Sequence, residues 1–320
     1  MCLFIKKEGI FTSLQGLGEL GLQRYGINPR GAMDRAAVRI LNTLLGNDQT
    51  DSVLELHFPA GNILFEEDAS FAIGGADFGA ELDTVPVPAW TAVPARRSQE
   101  LRFGRNTFGS RGYLAVRGGL TLNNDHENAG GSGTSAARFE TIRLKTGSGV
   151  ARASRLPESP GLIGPRAAAK VLPQYSRSPV VRVIPGGEFD RLREDAKAFL
   201  IASSFKLSND SNRMGFRLQG PPLFLDRPIE MVSSAVNFGT IQLLPDGQLV
   251  VLMADHQTSG GYPRIATVIS ADLPLLAQLS PGDSIDFRLT DSLTAEQAAT
   301  AFDLDLRWLR TGVELGRYWQ

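Results

Sequence analysis

Polar and reactive side chains are concentrated in one short segment, DHQTSGGYPR, which begins at Asp255. Asp255 is a candidate for acid–base chemistry or for orienting a polar substrate. Gln257, Thr258 and Tyr262 supply donors and acceptors suited to an amide or carboxylate ligand. Arg264 either binds a carboxylate in bidentate geometry or lies along a strand face. These residue types predict a binding loop, with Asp255, Gln257 and Tyr262 as the catalytic candidates.

Short apolar runs on both sides of this segment predict the order strand, turn, strand. The run 250–253 is too short and too β-branched for a helix, and a second apolar run follows at 265–269. Gly260 and Gly261 allow the backbone to turn or to approach another group closely, and both are candidates for substrate binding. The alternative is a structural turn in which Asp255 caps the end of the strand.

Three further polar residues are candidates for substrate binding. In a second turn, Asn212 is expected to hold the turn through its side chain and Arg213 to supply charge for a substrate carboxylate or a partner; a purely structural turn is the alternative. Gln242 lies in an apolar strand and needs hydrogen bonds if it faces inward, which fits a polar pocket in a barrel.

His256 and Asp34 are expected to have no role in substrate binding. His256 is expected at the surface. Asp34 is expected in the first turn of a helix, where the helix dipole favours a carboxylate.

Four blocks of the chain, in order, resemble the allophanate hydrolase subunit 2 family, between about residue 10 and about residue 290. They are GAMD at 31–34 with Asn42 and GN at 46–47, SNRMGFRL at 211–218, GTIQ at 239–242 before PDG at 245–247, and the long run from DHQTSGGYPR to LSPGD. The family contains the C subunit of 5-oxoprolinase, the Kip antagonists and the second half of the carboxyltransferase domain of urea carboxylase. The resemblance implies two β-barrel lobes related to the cyclophilin barrel.

The resemblance also implies a function. It points to one subunit of an ATP-dependent 5-oxoprolinase, which opens the lactam of 5-oxoproline to L-glutamate and is competent only in a complex. The expected partners are a protein like the B subunit of 5-oxoprolinase, of the allophanate hydrolase subunit 1 type, and a separate ATP-using protein like the A subunit. Arg213 or Arg264 would hold the substrate carboxylate, Gln242 and Gln257 the amide, and Asp255 or a bound water would manage protons.

Two other functions stay open at this point. One is a biotin-dependent carboxyltransferase like that of urea carboxylase, which would use carboxybiotin, although this chain has no biotinylation motif such as AMKM. The other is a non-enzymatic regulator of the Kip antagonist type, which binds a kinase inhibitor. The chain also departs from the family, whose members usually carry SRST after the Arg117-Gly118-Gly119 region. Here residues 131–138 read GSGTSAAR, so either the chain lacks a step that the SRST arginine performs in relatives, or Arg138 substitutes for it, or the substrate differs.

Composition excludes several classes of protein. A net charge of −1 gives no basic field that would steer a nucleic acid. Cys2 is the only cysteine and there are three histidines far apart, so neither a disulfide framework nor a histidine-based metal site is expected. No phosphate-loop motif is present, so no cofactor-binding residue is predicted, and ATP with magnesium would be used by the assembled complex. Without an apolar run of about 18 residues or a signal-like start, the expected location is cytoplasmic.

The chain is predicted to be mainly β with a few helices, because 34 glycines and 18 prolines are spread between many short β-branched runs. The predicted strands are 62–65, 70–73, 113–116, 180–184, 249–253 and 284–289. The predicted helices are 33–45, 188–202, 271–279 with Ser270 as N-cap, and 294 to about 310 with a capping box at Thr294 and Gln297. A predicted linker within 122–179 divides an N-terminal β-rich lobe, 1–170, from a C-terminal barrel lobe, 171–320, that carries the QTSGGYP signature.

Overall fold

The computed structural model describes residues 1–19, 21–122, 142–154 and 164–318, with the backbone alone at 317 and 318. The chain divides into two compact units. The first comprises Met1–Leu17, Asp34–Leu172 and Leu304–Gln320, and the second comprises Gly18–Met33 and Pro173–Asp303. The sequence predicted a single division after residue 170, whereas each unit is assembled from separate segments of the chain.

The first unit is built on two sheets. Its strands are, in chain order, β1 (Leu3–Lys7), β2 (Phe11–Gln15), β3 (Val53–His57), β4 (Asn62–Phe65), β5 (Ala69–Asp77), β6 (Ala80–Leu82), β7 (Val85–Pro86), β8 (Val93–Ala95), β9 (Glu100–Phe103), β10 (Phe108–Val116), β11 (Leu120–Leu122) and β12 (Gly149–Arg152). In the described residues, one sheet has the order β11-β12-β1-β4-β9-β6-β7 and the other β2-β3-β10-β5-β8. Their buried apolar side chains, among them Leu3, Phe65, Phe71, Leu101 and Leu114, form one core.

Helix α1 (Arg35–Leu45) lies within the predicted helix 33–45, and its apolar residues Ala37, Ile40, Leu41, Leu44 and Leu45 are buried on one face. Asp34 is its N-cap rather than a residue of its first turn, since Asp34 Oδ1 accepts a hydrogen bond of 2.8 Å from the N–H of Ala37. Gly46 ends the helix in the left-handed conformation (φ 67°), which glycine adopts without steric cost.

The second unit is a closed seven-stranded barrel with an added two-stranded ribbon. Its strands are β13 (Val180–Pro185), β14 (Ser204–Leu207), β15 (Gly215–Gln219), β16 (Ser234–Ala235), β17 (Thr240–Leu243), β18 (Leu249–Leu252), β19 (Ser259–Gly260), β20 (Arg264–Val268) and β21 (Ser284–Leu289). The barrel order is β13-β20-β17-β18-β15-β14-β21, closed by the parallel pairing of β13 with β21, while β16 pairs with β19. Phe205, Phe216, Ile241, Val251 and Ile265 lie in its core.

The described strands confirm the mainly β prediction, and the predicted strands 62–65 and 284–289 have the same bounds as β4 and β21. The predicted strands 70–73, 113–116 and 180–184 lie inside longer ones, and the one predicted at 249–253 ends one residue earlier. None of the helices in the described ranges combines the length and the apolar character that crossing a bilayer requires.

The helix predicted at 188–202 is wrong over its first six residues. Helix α2 (Glu194–Ala202) begins later, because Leu192 and Arg193 are extended and separate it from a 3-10 turn at Phe189–Arg191. The charged residue Glu188 is therefore outside the helix, where its carboxylate is available for another partner.

The other two helices begin at residues different from those predicted. Helix α3 (Leu273–Ala277) has Asp272 rather than Ser270 at its N-cap, and the Asp272 carboxylate binds Arg182 at 2.6–2.9 Å instead of capping. Helix α4 (Ser292–Tyr318) starts before Thr294 and extends past residue 310. The predicted capping box at Thr294 is wrong, since the Thr294 N–H donates to Asp291 Oδ1 at 2.7 Å, which makes Asp291 the cap.

Candidate active site

The signature loop, residues 255–263, joins the barrel strand β18 to β20 and contains the short strand β19. The chain enters the loop through Met253 and Ala254, which are fully buried, and leaves it through the buried Ile265. Strand, turn and strand follow in the predicted order. The loop is therefore fixed at both ends by the barrel core, which holds its polar residues in defined positions.

An ion pair anchors the start of the signature loop. Arg213 Nε donates to Asp255 Oδ2 at 2.8 Å, and Arg213 Nη2 donates to Asp255 Oδ1 at 3.0 Å. The two side chains are only 11% and 22% exposed, so this bidentate pair is largely shielded from water. The backbone supports it, since the N–H of Asp255 donates to the Arg213 carbonyl at 2.9 Å. Asp255 thus holds the Arg213 guanidinium in a fixed orientation.

The N-terminal family block contributes to the same ion pair. Arg213 Nη2 also donates a hydrogen bond to the Gly31 carbonyl, at 2.6 Å. Asn28 Nδ2 lies 3.4 Å from the carbonyl oxygen of Asp255. The resemblance had singled out the block that begins at Gly31, but not its contact with Arg213. Sequence spacing gives no signal for a contact between segments this far apart.

Asn212 has the structural role that the sequence predicted. Its Oδ1 accepts hydrogen bonds from the N–H groups of Met214, at 2.8 Å, and Gly215, at 3.4 Å. An Asn side chain that bonds to the backbone two residues ahead stabilises a tight turn. Asn212 is itself exposed, and its side chain holds the turn from which Arg213 extends.

Gln242 lies in the barrel wall, and its side-chain amide faces Gly260. It is buried in β17, opposite Arg264 in β20, where the strand register shifts between Ile241 and Gln242. Its Nε2 donates to the carbonyl of Tyr262 at 3.5 Å. A Cβ at Gly260 would overlap Nε2 and lie 3.3 Å from Cδ of Gln242. A side chain at position 260 would therefore have to displace the buried Gln242 amide.

Arg264 is paired with Glu188, which the sequence pattern had placed in a helix. The guanidinium donates from Nε to Glu188 Oε2 at 3.2 Å and from Nη2 to Oε1 at 3.1 Å, and the Arg264 N–H donates to Oε2 at 2.8 Å. Desolvation alone would raise the pKa of Glu188, but the hydrogen bonds from the side chain and backbone of Arg264 outweigh it and lower that pKa. The same partner raises the pKa of Arg264. A substrate carboxylate at Arg264 would have to share the guanidinium with Glu188.

The middle of the signature loop is less buried. Gln257 and Thr258 are partly buried, whereas Gly261 and Tyr262 are exposed, with 43% of Tyr262 accessible to solvent. His256 is fully buried and its Nδ1 lies 2.6 Å from the Gln257 carbonyl, so the prediction of a surface histidine is wrong. Tyr262 is thus accessible at the protein surface.

The predicted site residues fall into two groups within the second unit. Arg213 and Asp255 meet at the entrance of the signature loop, and Gln242, Gly260 and Arg264 meet at its exit. The combination offers guanidinium and amide donors beside a glycine-rich backbone, which suits a planar amide or a carboxylate. In the described ranges, no group of three or more His, Cys, Asp or Glu residues could hold a metal ion. The segment 131–138, where the chain departs from SRST, lies outside the described residues.

Comparison with known proteins gives a family match and several relatives. A profile described as carboxyltransferase domain, subdomain A and B, matches residues 25–289. A Haemophilus influenzae protein, named as the C subunit of 5-oxoprolinase, is 35% identical over 288 residues, which cover 90% of this chain and 90% of the relative. The Escherichia coli protein of the same name is 36% identical over 317 residues, 96% of this chain and 98% of the relative. The crystal structure of the K. lactis urea amidolyase has a TM-score of 0.85 at 26% identity, over 96% of this chain but only 20% of that chain.

Proposed function

The chain belongs to the family of carboxyltransferase domains with subdomains A and B, and from this premise we propose that it is one subunit of a 5-oxoprolinase-type amidohydrolase. The reaction would open the lactam of 5-oxoproline to L-glutamate. The observation that carries the proposal is the identity of 35% and 36% with two proteins named as the C subunit of 5-oxoprolinase, over almost their whole lengths. Their name also supports action within a multi-subunit complex.

The geometry of the signature loop supports the proposal chemically. Opening a lactam develops negative charge on the carbonyl oxygen, which positioned N–H donors stabilise. Gln242 Nε2, which lies 3.5 Å from the Tyr262 carbonyl oxygen, is a donor of this kind. Arg213 carries positive charge at the loop entrance and is oriented by Asp255. Asp255 also remains the proposed acid–base group, and Gln257 and Tyr262 its proposed neighbours in the site.

The proposed partners follow from the same family. One is a protein like the B subunit of 5-oxoprolinase, of the allophanate hydrolase subunit 1 type, and another resembles the A subunit, which uses ATP with magnesium. Because no phosphate-loop motif occurs in this chain, ATP binding is assigned to the partner. Light scattering of the mixed, purified chains tests the first association, and absence of a complex at micromolar concentration contradicts it.

Reconstitution of the three-component complex tests the activity. The complex is expected to release glutamate from 5-oxoproline in an ATP-dependent reaction, and the mixture that lacks this chain is the control. Equal release with and without this chain contradicts the proposal. The variant Arg213→Met, purified in the same complex, is expected to associate but to lose most of the release.

A second candidate function is carboxyl transfer from carboxybiotin to urea. The structural similarity to the K. lactis urea amidolyase, with a TM-score of 0.85, favours it, because urea shares the planar amide character of a lactam. Urea and a carrier protein whose biotin has been carboxylated beforehand, supplied to the same preparation, distinguish the two functions, because the carboxybiotin provides the carboxyl group that urea would accept. Consumption of urea with no glutamate release would favour carboxyl transfer.

A further inference from the structure

The C-terminal half of helix α4 exposes apolar side chains on the side opposite its buried face. This half of the helix belongs to the first unit, and its residues Leu306 and Val313 are only 0% and 3% exposed. Leu304, Trp308 and Leu315 are instead 50%, 67% and 55% exposed. At 3.6 residues per turn, these three residues lie about half a turn around the helix from Leu306 and Val313. Among the described residues, the helix therefore has one apolar face that is buried and another that is open to solvent.

The exposed side chains have the spacing of a coiled-coil seam. Leu304, Trp308, Thr311 and Leu315 follow one another at intervals of four, three and four residues, and Thr311 is exposed as well. These four residues are called the outer stripe below. Alternating intervals of three and four place side chains along one line of a helix, where a second helix can pack against them.

The outer stripe is complementary to a second copy of itself. Its intervals of four, three and four read the same in both directions of the chain. When two copies of the helix run antiparallel, Leu304 of one copy therefore lies level with Leu315 of the other. In the same register, Trp308 of each copy lies level with Thr311 of the other. The two central layers then combine one large and one small side chain, which interdigitate more readily than two large ones.

The charges beside the outer stripe also favour an antiparallel pair. Arg307 and Glu314 are both exposed and lie seven residues apart, on the same flank of the stripe. In the antiparallel register, Arg307 of one copy lies about two residues, or about 3 Å along the axis, from Glu314 of the other. A twofold axis gives this contact twice. In a parallel pair, Arg307 would lie opposite Gly312, and both contacts would be lost.

We propose that the chain forms a weak symmetric dimer in which residues 304–315 of two copies pack antiparallel through the outer stripe. A second copy is the favoured occupant, because both the spacing of the stripe and its flanking charges are complementary to themselves. The interface is small, since Trp308, its largest residue, has a total area of roughly 150–250 Å². Small interfaces are typical of transient association, so we expect a dissociation constant in the micromolar range. This association goes beyond the proposed function and does not depend on it.

Sedimentation equilibrium of the full-length chain, from about 1 to about 200 µM, measures the dimer dissociation constant. Trp308→Gln is expected to raise it at least tenfold, because an aromatic residue at the centre of an interface contributes much of the affinity. Gln is a good helix former, so the helix is retained. Phe199→Gln is the matched control, since Phe199 is an aromatic residue of helix α2 that is 45% exposed, and it should match the wild type. Melting temperatures verify that each variant is folded.

A charge exchange tests the antiparallel direction. Arg307→Glu places two glutamates near each other at both contacts, and Glu314→Arg places two arginines there. Each single variant is expected to raise the dissociation constant about 3- to 10-fold. The double variant Arg307→Glu/Glu314→Arg restores opposite charges across the twofold axis, so it should return to within twofold of the wild type.

Each outcome decides for or against the dimer. A wild-type chain that stays monomeric up to about 200 µM overturns the proposal, also if this face binds a different subunit. A dimer that Trp308→Gln leaves unchanged overturns it as well, because the interface then lies elsewhere. A dimer that is insensitive to both charge reversals, or is not restored by the double variant, overturns the antiparallel arrangement. Weakening by Trp308→Gln and by both single reversals, with recovery in the double variant, establishes the proposal.

Discussion

Replacing Asp255 by Asn is expected to destabilise the second unit measurably, because Asp255 is bound to Arg213 by two charge-assisted hydrogen bonds. Those bonds measure 2.8 and 3.0 Å. A net hydrogen bond to a charged group contributes about 1.5–3 kcal/mol. The amide of Asn keeps one acceptor but turns an N–H group toward the other guanidinium donor. The variant thus loses at least one bond and leaves the Arg213 charge without its counter-ion.

The partial burial of the Arg213–Asp255 pair determines how much stability the variant loses. Removing one partner of a fully buried pair costs about 3–5 kcal/mol, whereas a surface pair is worth about 0–1 kcal/mol. With side chains 11% and 22% exposed, the Arg213–Asp255 pair is closer to the buried case, and we expect a loss of about 2–3 kcal/mol. At about 2–4 °C per kcal/mol, the melting temperature should fall by about 4–12 °C.

Calorimetry of the purified chain measures this loss, and a double-mutant cycle with Arg213→Met isolates the pair. The coupling energy is expected to be about 2 kcal/mol. Asp195→Asn is the matched control, because the Arg193–Asp195 pair has side chains 52% and 50% exposed. A melting temperature for Asp255→Asn within about 1 °C of the wild type would refute the reasoning.

Activity of the same variants separates two roles of Asp255. If Asp255 acts only by orienting Arg213, the double variant will be no slower than Arg213→Met alone. If Asp255 also exchanges protons with the substrate, Asp255→Asn will be slower than Arg213→Met by orders of magnitude. Rates are to be measured well below the melting temperature of the least stable variant.

Three further predictions follow from the described contacts. Gly260→Ala is expected to displace the buried Gln242 amide and lower kcat/KM at least tenfold, with a loss of stability of about 1–3 kcal/mol, measured by kinetics and melting. Tyr262→Phe is expected to lower activity without changing the melting temperature, because the phenol is exposed. Hydrogen bonds from Arg102 and others hold the pKa of Glu100 at about 2, below the ordinary 4.5. Its stabilising contribution is therefore complete above pH 4.5 and lost as the pH falls towards 2, so Glu100→Gln should flatten the acid limb of a stability–pH profile.

A control and contrary outcomes accompany these predictions. Gly312→Ala changes a glycine in α4 that has no heavy atom near its added Cβ, and it should leave activity unchanged and stability equal or higher. Wild-type activity in Gly260→Ala would mean that Gln242 is not part of the site. A melting shift in Tyr262→Phe that matches its loss of activity would make that residue structural. An acid limb in Glu100→Gln identical to the wild type would contradict the assigned pKa.

The strands predicted at 62–65, 70–73, 113–116, 180–184, 249–253 and 284–289 all occur in the structure, because short β-branched runs between glycines leave few other structures. The barrel strands β14 and β15 were not predicted. The sequence predicted the helix starts poorly. Asp272 occupies the N-cap position of α3, but its carboxylate binds Arg182 and does not cap the helix. Asp291 caps α4, and it was missed because it precedes the apolar periodicity from which the helix was predicted. A local pattern favours a cap wherever a hydroxyl or carboxylate precedes a helix, whereas tertiary partners decide which residue takes it.

The candidate site was predicted in its residue types and only partly in its contacts. The resemblance and the polar clustering identified Asp255, Gln242 and Arg213, and a barrel core fixes all three. The pairing of Arg264 with Glu188 could not be read from the chain, because the two residues are 76 positions apart and Glu188 fitted an apparent helix. The residue-level roles in catalysis stay predictions, which the variants above address.

The hydrogen bond from Arg213 to the Gly31 carbonyl has a consequence for how the protein is made and dissected. It joins residues 182 positions apart, and the segment Gly18–Met33 belongs to the same compact unit as the barrel. During synthesis, residues 18–33 are made long before Arg213, so this hydrogen bond can form only after Arg213 has been added to the chain. A clone that starts at Pro173 would lack the segment, so the barrel cannot be isolated with its site intact by a single cut. Splitting the gene would require supplying residues 18–33 as a separate peptide, and recovery of the Arg213 environment by that peptide would then be a direct complementation assay.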